Sequence, residues 1–187
     1  SRKTWPTRAR DLASGIPALE MLVEALLKVR DVLLQELRTL DRKLLETARA
    51  DPIVQTLMTA PGVGAIVALT YRNAIDDPNR FKRSKDVGPW LGLTPTRYQS
   101  GQIDRRGHVT KAGHGSVRTA LYEAATTLLG RVVRWSALKN WGLRVARRSG
   151  MKKARVAVAR KLAVIMHSMW RTQSPFAWAA DKEEVFA

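Results

Sequence analysis

The sequence predicts a mainly α-helical protein: a long N-terminal coiled-coil helix, a helix-hairpin-helix-like domain containing a small β-hairpin or ordered loop, and basic C-terminal helices. Three observations carry this prediction. Residues 17–50 contain no helix breaker after the first proline and repeat leucine at alternating four-three spacing. The stretch "TAPGVGA" sets Pro-Gly-Val-Gly between two short amphipathic segments. From Ser116 to Trp170, apolar residues recur at helical spacing, with interruptions at Gly130 and at Ser149-Gly150.

Taken in order, residues 1–15 read as a polar, basic lead-in, and the abrupt start at Ser1 suggests a piece of a longer chain. Ser14 can cap a helix whose first turn tolerates Pro17, giving one helix over residues 16–50. Its seam is Leu19, Val23, Leu26, Leu33, Leu37, Leu40 and Leu44, with Arg30 at the interrupted position. A stripe of this kind serves self-association or a partner helix; Leu22, Leu27, Leu34 and Leu45 widen it enough to allow packing within the chain as well.

Residues 51–180 read as the main domain. Asp51 and Pro52 form an N-cap and first-turn proline for a helix to about Thr59, and a second helix spans about Gly64 to Ala74. Gly62 and Gly64 permit positive φ, and the free N–H groups opening the second helix can bind phosphate; alternatively the glycines only make a tight turn. Ser84 reads as the cap of a short helix ending near Gly92, and "LTPTRYQSGQIDRRGHVTK" as a hairpin or loop. Helices follow from about Ser116 to Gly130, Ser136 to Arg148 and Met151 to Trp170, and residues 181–187 form an acidic tail.

The formal charge is +17, and it is unevenly placed. Residues 1–52 hold ten Lys and Arg against eight acids, while residues 53–180 hold 22 against five, with no carboxylate between Glu123 and Asp181. Such a surface calls for a polyanion, here nucleic acid. Arg147, Arg148, Lys152 and Lys153 cluster at the last helix break, and Arg97, Arg105, Arg106, Lys111 and Arg118 surround Ser100. Trp135, Trp141 and Trp170 can stack on bases or sit in the core.

Several classes of chemistry are excluded or disfavoured. The chain has no cysteine, hence no disulfide or thiolate site, and its three histidines are scattered, so no metal site is expected. Asp76, Asp77, Asp86 and Asp104 are too sparse for a two-metal nuclease. No apolar run reaches eighteen residues and no signal-peptide pattern is present, so a soluble, cytoplasmic, nucleoid-associated protein is expected without a membrane partner. If the chain cuts a phosphodiester, a serine is the candidate. Ser116 stands where a helix begins and reads as an N-cap or first-turn residue; Ser100 is either a turn residue or a nucleophile.

The succession of "PGVG", "LGLTP", "QSG" and "K.G....R..LY" between Leu57 and Ala125 resembles the C-terminal transposase domain of the insertion sequence 110/116/902 family, and the flanking helices extend the resemblance. The resemblance implies a DNA transposase or recombinase of a mobile element, directed by a structured guide RNA. It makes Ser100, followed by Gly101, the nucleophile of a composite site whose other half is an acidic domain of four Asp and Glu ligands holding Mg²⁺. That acidic domain is not in this sequence, so this part is expected to be inactive alone; the expected partners are DNA, the structured guide RNA and, through the leucine stripe, a second or further copy of the chain. The alternative is a non-catalytic helix-hairpin-helix module that binds nucleic acid.

Overall fold

A computed structural model of the chain describes residues 4–100 and 103–178, with the backbone alone for Arg97 and residues 103–106. It is mainly helical, with eight α-helices and one two-stranded antiparallel sheet among the described residues. The chain divides into two compact units, one ending at Glu46 and the other beginning at Thr47.

The first unit is a helical hairpin. The basic lead-in, expected to be a polar segment ahead of the first helix, instead folds as helix α1, Trp5–Ala13, with Pro6 tolerated in the first turn and Gly15 at φ +86° after the end. Helix α2 runs from Pro17 to Ala50. Ser14 does not cap it but closes α1, and the Gly15 N–H instead donates to the Glu20 carboxylate at 2.8 Å. The Arg10 guanidinium forks onto Glu24 at 2.6 and 3.3 Å, and Arg30 lies 5.9 Å from the centre of the Trp5 ring. Arg30 therefore interrupts the leucine seam because it faces α1. Ala13 and Leu27 are buried, whereas Leu19, Leu22, Leu26, Val29, Leu33, Leu37 and Leu40 are exposed along α2.

The second unit is built around helix α8, Met151–Thr172, which packs against α3 (Pro52–Met58), α5 (Val87–Trp90), α6 (Gly115–Gly130) and α7 (Ala137–Ser149). Its buried face alternates small and large side chains, Ala154, Val158, Ala159, Leu162, Ala163 and Met166, which lets neighbouring helices approach closely. Helix α4, Ala65–Ile75, is pinned to it by the buried Tyr71 hydroxyl, which donates to the Ala163 carbonyl at 2.7 Å. Asp51 caps α3 as expected, accepting from Ile53 and Val54 N–H at 2.8 and 3.2 Å.

The two hairpin glycines differ. Gly62 has φ +81°, and a Cβ there would collide with the Ala124 carbonyl of α6, so glycine is required by both conformation and contact. Gly64 has φ −96° and ψ −179°, extended backbone that any residue adopts, and is the N-cap of α4. Ser84 caps nothing either. It opens a 3₁₀ turn, Ser84–Asp86, and its hydroxyl lies 2.9 Å from His167 Nδ1, while His167 Nε2 lies 2.9 Å from the Pro78 carbonyl. Nε2 must carry the proton to donate to that carbonyl, leaving Nδ1 to accept from the serine; burial holds the His167 pKa below its ordinary value, consistent with this neutral form.

Strands β1, Pro95–Ser100, and β2, Ile103–Val109, make the expected hairpin, paired Ser100 with Ile103, Gln99 with Asp104, Tyr98 with Arg105 and Arg97 with Arg106, with a bulge near Pro95. No described helix is long and apolar enough to cross a membrane.

Candidate functional site

The hairpin is rooted on the helical body by backbone contacts that leave little freedom. Thr110 N–H donates to the Thr94 carbonyl at 3.0 Å and Lys111 N–H to the Gly92 carbonyl at 3.2 Å, so the strands remain joined past their formal ends. Gly92 and Gly113 sit at φ +66° and +76°, and a Cβ on either would strike the opposite backbone: Ala112 in one case, the Trp90 carbonyl in the other. Lys111 itself is left-handed, at φ 56°. Arg118, from the first turn of α6, then ties both chain segments together. One terminal nitrogen donates to the carbonyls of Ala112 at 2.7 Å, Gly113 at 3.0 Å and Leu91 at 3.3 Å. The spacing suggests a phosphate ligand at this position; in the structure its Nη1 braces the hairpin root.

Ser100 ends β1 and is exposed; Gly101 lies outside the described residues. The strand register sets Arg97 opposite Arg106 and Tyr98 opposite Arg105, so three arginine positions fall within the last pairs before the tip. Ser116 is the second residue of α6 and is exposed, while the N-cap position belongs to His114, which makes no side-chain cap bond. Ser116 is thus the first-turn residue of the two possibilities. His114 packs against Trp90 with ring centres 5.2 Å apart.

A second basic locus surrounds the break between α7 and α8. Arg147 and Arg148 end α7, Gly150 turns the chain at φ +84°, and Lys152 and Lys153 open α8; all four cations are exposed. Arginine at a helix C-terminus complements the macrodipole, but lysine in a first turn opposes it. The break therefore gathers four exposed positive charges, of which only the two arginines are favoured by the helix dipole. Among the tryptophans of this region, Trp170 is core, Trp141 is half-buried beside the Lys161 ammonium at 4.2 Å, and Trp135 is exposed. No group of three His, Asp or Glu suited to a metal ion occurs among the described residues.

Residues 54–141, from α3 through the hairpin into α7, match the family model described as Transposase IS116/IS110/IS902 family. The chain belongs to this transposase family. It is 36% identical over 132 residues to the putative transposase y4pF/y4sB of Sinorhizobium fredii, covering 70% of this chain and 34% of that protein. It is 30% identical over 137 residues to the transposase for insertion sequence element IS1111A of Coxiella burnetii, 73% of this chain and 38% of that protein. A probable family 20 transposase of Pseudomonas aeruginosa is 27% identical over 131 residues, covering 70% and 39%. The chain thus spans little more than a third of the length of these relatives. The matched transposase segment contains Gly62, the whole serine hairpin and Arg118, whereas the basic break at 147–153 lies beyond it.

Proposed function

We propose that this chain is the serine-bearing and nucleic-acid-binding part of a DNA transposase or recombinase, with Ser100 as nucleophile. The observation that carries the reading is the placement of Ser100: exposed, at the tip of a hairpin with a braced root, beside paired arginine positions, inside the segment shared with the family. In the reaction, Ser100 Oγ forms a bond to the scissile phosphorus as the bond to the leaving deoxyribose oxygen breaks. The serine proton passes to solvent base, and the leaving oxygen is protonated. Arg97, Arg105 and Arg106 supply positive charge to the crowded phosphate. The described residues offer no ligand set for Mg²⁺, so in this reading the ion belongs to the acidic domain that the resemblance assigns to the full-length protein. The direct test is a suicide DNA substrate whose cut strand cannot religate, presented to the full-length protein with its guide RNA. A denaturant-resistant adduct mapping to Ser100 is expected; an adduct on any other residue removes Ser100 from the chemistry.

DNA and guide RNA engage the basic helix break in the same reading. Neutralising several phosphates releases counterions, so affinity should fall steeply with salt. Replacing Arg147, Arg148, Lys152 and Lys153 together by alanine is expected to flatten the dependence of log K on log salt by about three to four units, at about 0.9 per contact. An unchanged slope and affinity in a salt titration would place the contact elsewhere.

Helix α2 serves as the seam of a homodimer. Its exposed leucines follow the heptad rhythm of a coiled coil, and leaving such a stripe in water is costly. Light scattering at tens of micromolar should give twice the chain mass, reverting to one chain in the double variant Leu33→Asp, Leu37→Asp. A wild-type chain that is monomeric throughout that range would make the stripe a docking face for something other than itself.

A further inference from the structure

The loop joining α6 to α7, residues 131–136, presents apolar side chains to water from a fixed backbone. Val133 is 93% exposed, more than any other large apolar residue described, and Trp135 is 55% exposed. The loop is nevertheless well tied down. Arg131 and Val132 N–H both donate to the Thr127 carbonyl, at 2.8 and 3.1 Å, closing the end of α6. The Ser136 hydroxyl accepts from Lys139 N–H at 3.2 Å and caps α7, and the Lys139 ammonium reaches back to the Val132 carbonyl at 2.5 Å. That same ammonium stands 5.4 Å from the centre of the Trp135 ring, and the Arg134 guanidinium lies 4.2 Å from the centre of the Trp178 ring.

A hydrophobic tip held this way gains by burial against a partner, and its surroundings specify which kind. Arg131, Arg134 and Lys139 flank it, and no carboxylate occurs in the sequence between Glu123 and Asp181. Positive charge interleaved with one exposed aromatic ring is the chemistry that accepts unpaired nucleic-acid bases: the ring stacks on a base face, and the cations take the adjoining phosphates. The loop and helix α7 carry no acidic side chain of their own to pair with the cations of a protein partner.

We infer that the α6–α7 loop is a binding site for unpaired bases, with Trp135 as the stacking platform, Val133 as the apolar tip packed against the neighbouring base, and Arg131 on the phosphate between them. The inference rests on the nucleic-acid-binding reading above but not on Ser100. It assigns to this loop a preference for opened over fully paired strands, which the exposed cations of the α7–α8 break do not supply.

The test compares two DNA oligonucleotides of equal length, one fully paired and one with a central unpaired stretch carrying 2-aminopurine, each titrated with the full chain. The wild type should bind the opened strand more tightly and change the 2-aminopurine emission. Trp135→Ala should weaken opened-strand binding about 5- to 150-fold, the range of one base–aromatic stack, and leave paired-duplex binding unaltered. Val133→Ser should do the same to a smaller degree, and Trp135→Phe should restore most of the preference. Both positions are exposed, so circular dichroism should show the fold intact. Opened-strand preference and 2-aminopurine response that persist in Trp135→Ala and Val133→Ser overturn the site while sparing the parent reading. Failure of the wild type to bind either oligonucleotide at low salt overturns both. Loss of self-association with nucleic-acid binding unaffected would make the loop a protein contact instead, also overturning it.

Discussion

Gly92→Ala is expected to destabilise the second unit by about 3 kcal/mol or more, lowering its melting temperature by roughly 10 °C. Two costs add. At φ +66° an L side chain occupies the left-handed region, worth about 1–2 kcal/mol. The new Cβ would also press into the backbone of Ala112, and overpacking of that kind costs about 1–3 kcal/mol. The backbone cannot swing aside cheaply, because Lys111 N–H is bonded to the Gly92 carbonyl and Arg118 holds Leu91, Ala112 and Gly113. Gly130→Ala supplies the contrast. Gly130 ends α6 with nothing within 4 Å of a Cβ and no positive φ, so alanine there should be neutral or stabilise by up to about 1 kcal/mol. Thermal denaturation of the two variants decides it: a Gly92→Ala chain melting within a degree of wild type would show that the hairpin root is looser than its geometry implies.

Much of this architecture was legible in the sequence because its signals are local. Asp51-Pro52 and the Ser149-Gly150 break each act within a few residues and stand where spacing predicts them, and the helix expected from about Ser136 begins there, with Ser136 as its cap rather than its first residue. Helix α1 is not legible in the sequence because its nine residues, WPTRARDLA, carry too few apolar side chains for a face; Trp5 finds Arg30 only once the chain has reversed at Gly15. Ser84 departs from the expected cap for a related reason. Its partner, His167, is 83 residues away, and a serine before a short helix looks like a cap until the buried imidazole is in place.

The candidate site divides along the same line. A hairpin with Ser100 near its tip follows from strand formers around a Gly- and charge-rich centre, and the structure bears out that hairpin. What the pattern conceals is the distinction among basic residues. Arg118 and Arg147 look alike in sequence, yet the first is half-buried with one terminal nitrogen bonded to three backbone carbonyls and the second is exposed at a helix end. Charge counts report a field; only packing tells which cations remain available to a phosphate. Gly62 and Gly64 separate likewise, since the first is demanded by α6 and the second merely begins α4.

Ser100→Ala is expected to abolish DNA strand transfer in the full-length protein with its guide RNA, by at least about 10³-fold, because no other group replaces an attacking oxygen. The substitution removes one atom from an exposed strand end whose backbone pairing with Ile103 survives, so melting temperature and DNA affinity should stay near wild type. Those two controls separate loss of chemistry from loss of the hairpin. Gly92→Ala, by contrast, should lower stability along with activity. Ser116→Ala provides the internal comparison: its hydroxyl sits exposed in the first turn of α6, outside the cap position, so it should change stability by no more than about 0.5 kcal/mol and leave strand transfer in place. If Ser100→Ala transfers strands at near the wild-type rate, Ser100 is a hairpin residue and the nucleophile must come from elsewhere in the full-length protein. If both serine variants are equally impaired with normal affinity, the first turn of α6 takes part in the reaction, and the assignment of chemistry to the hairpin tip alone fails.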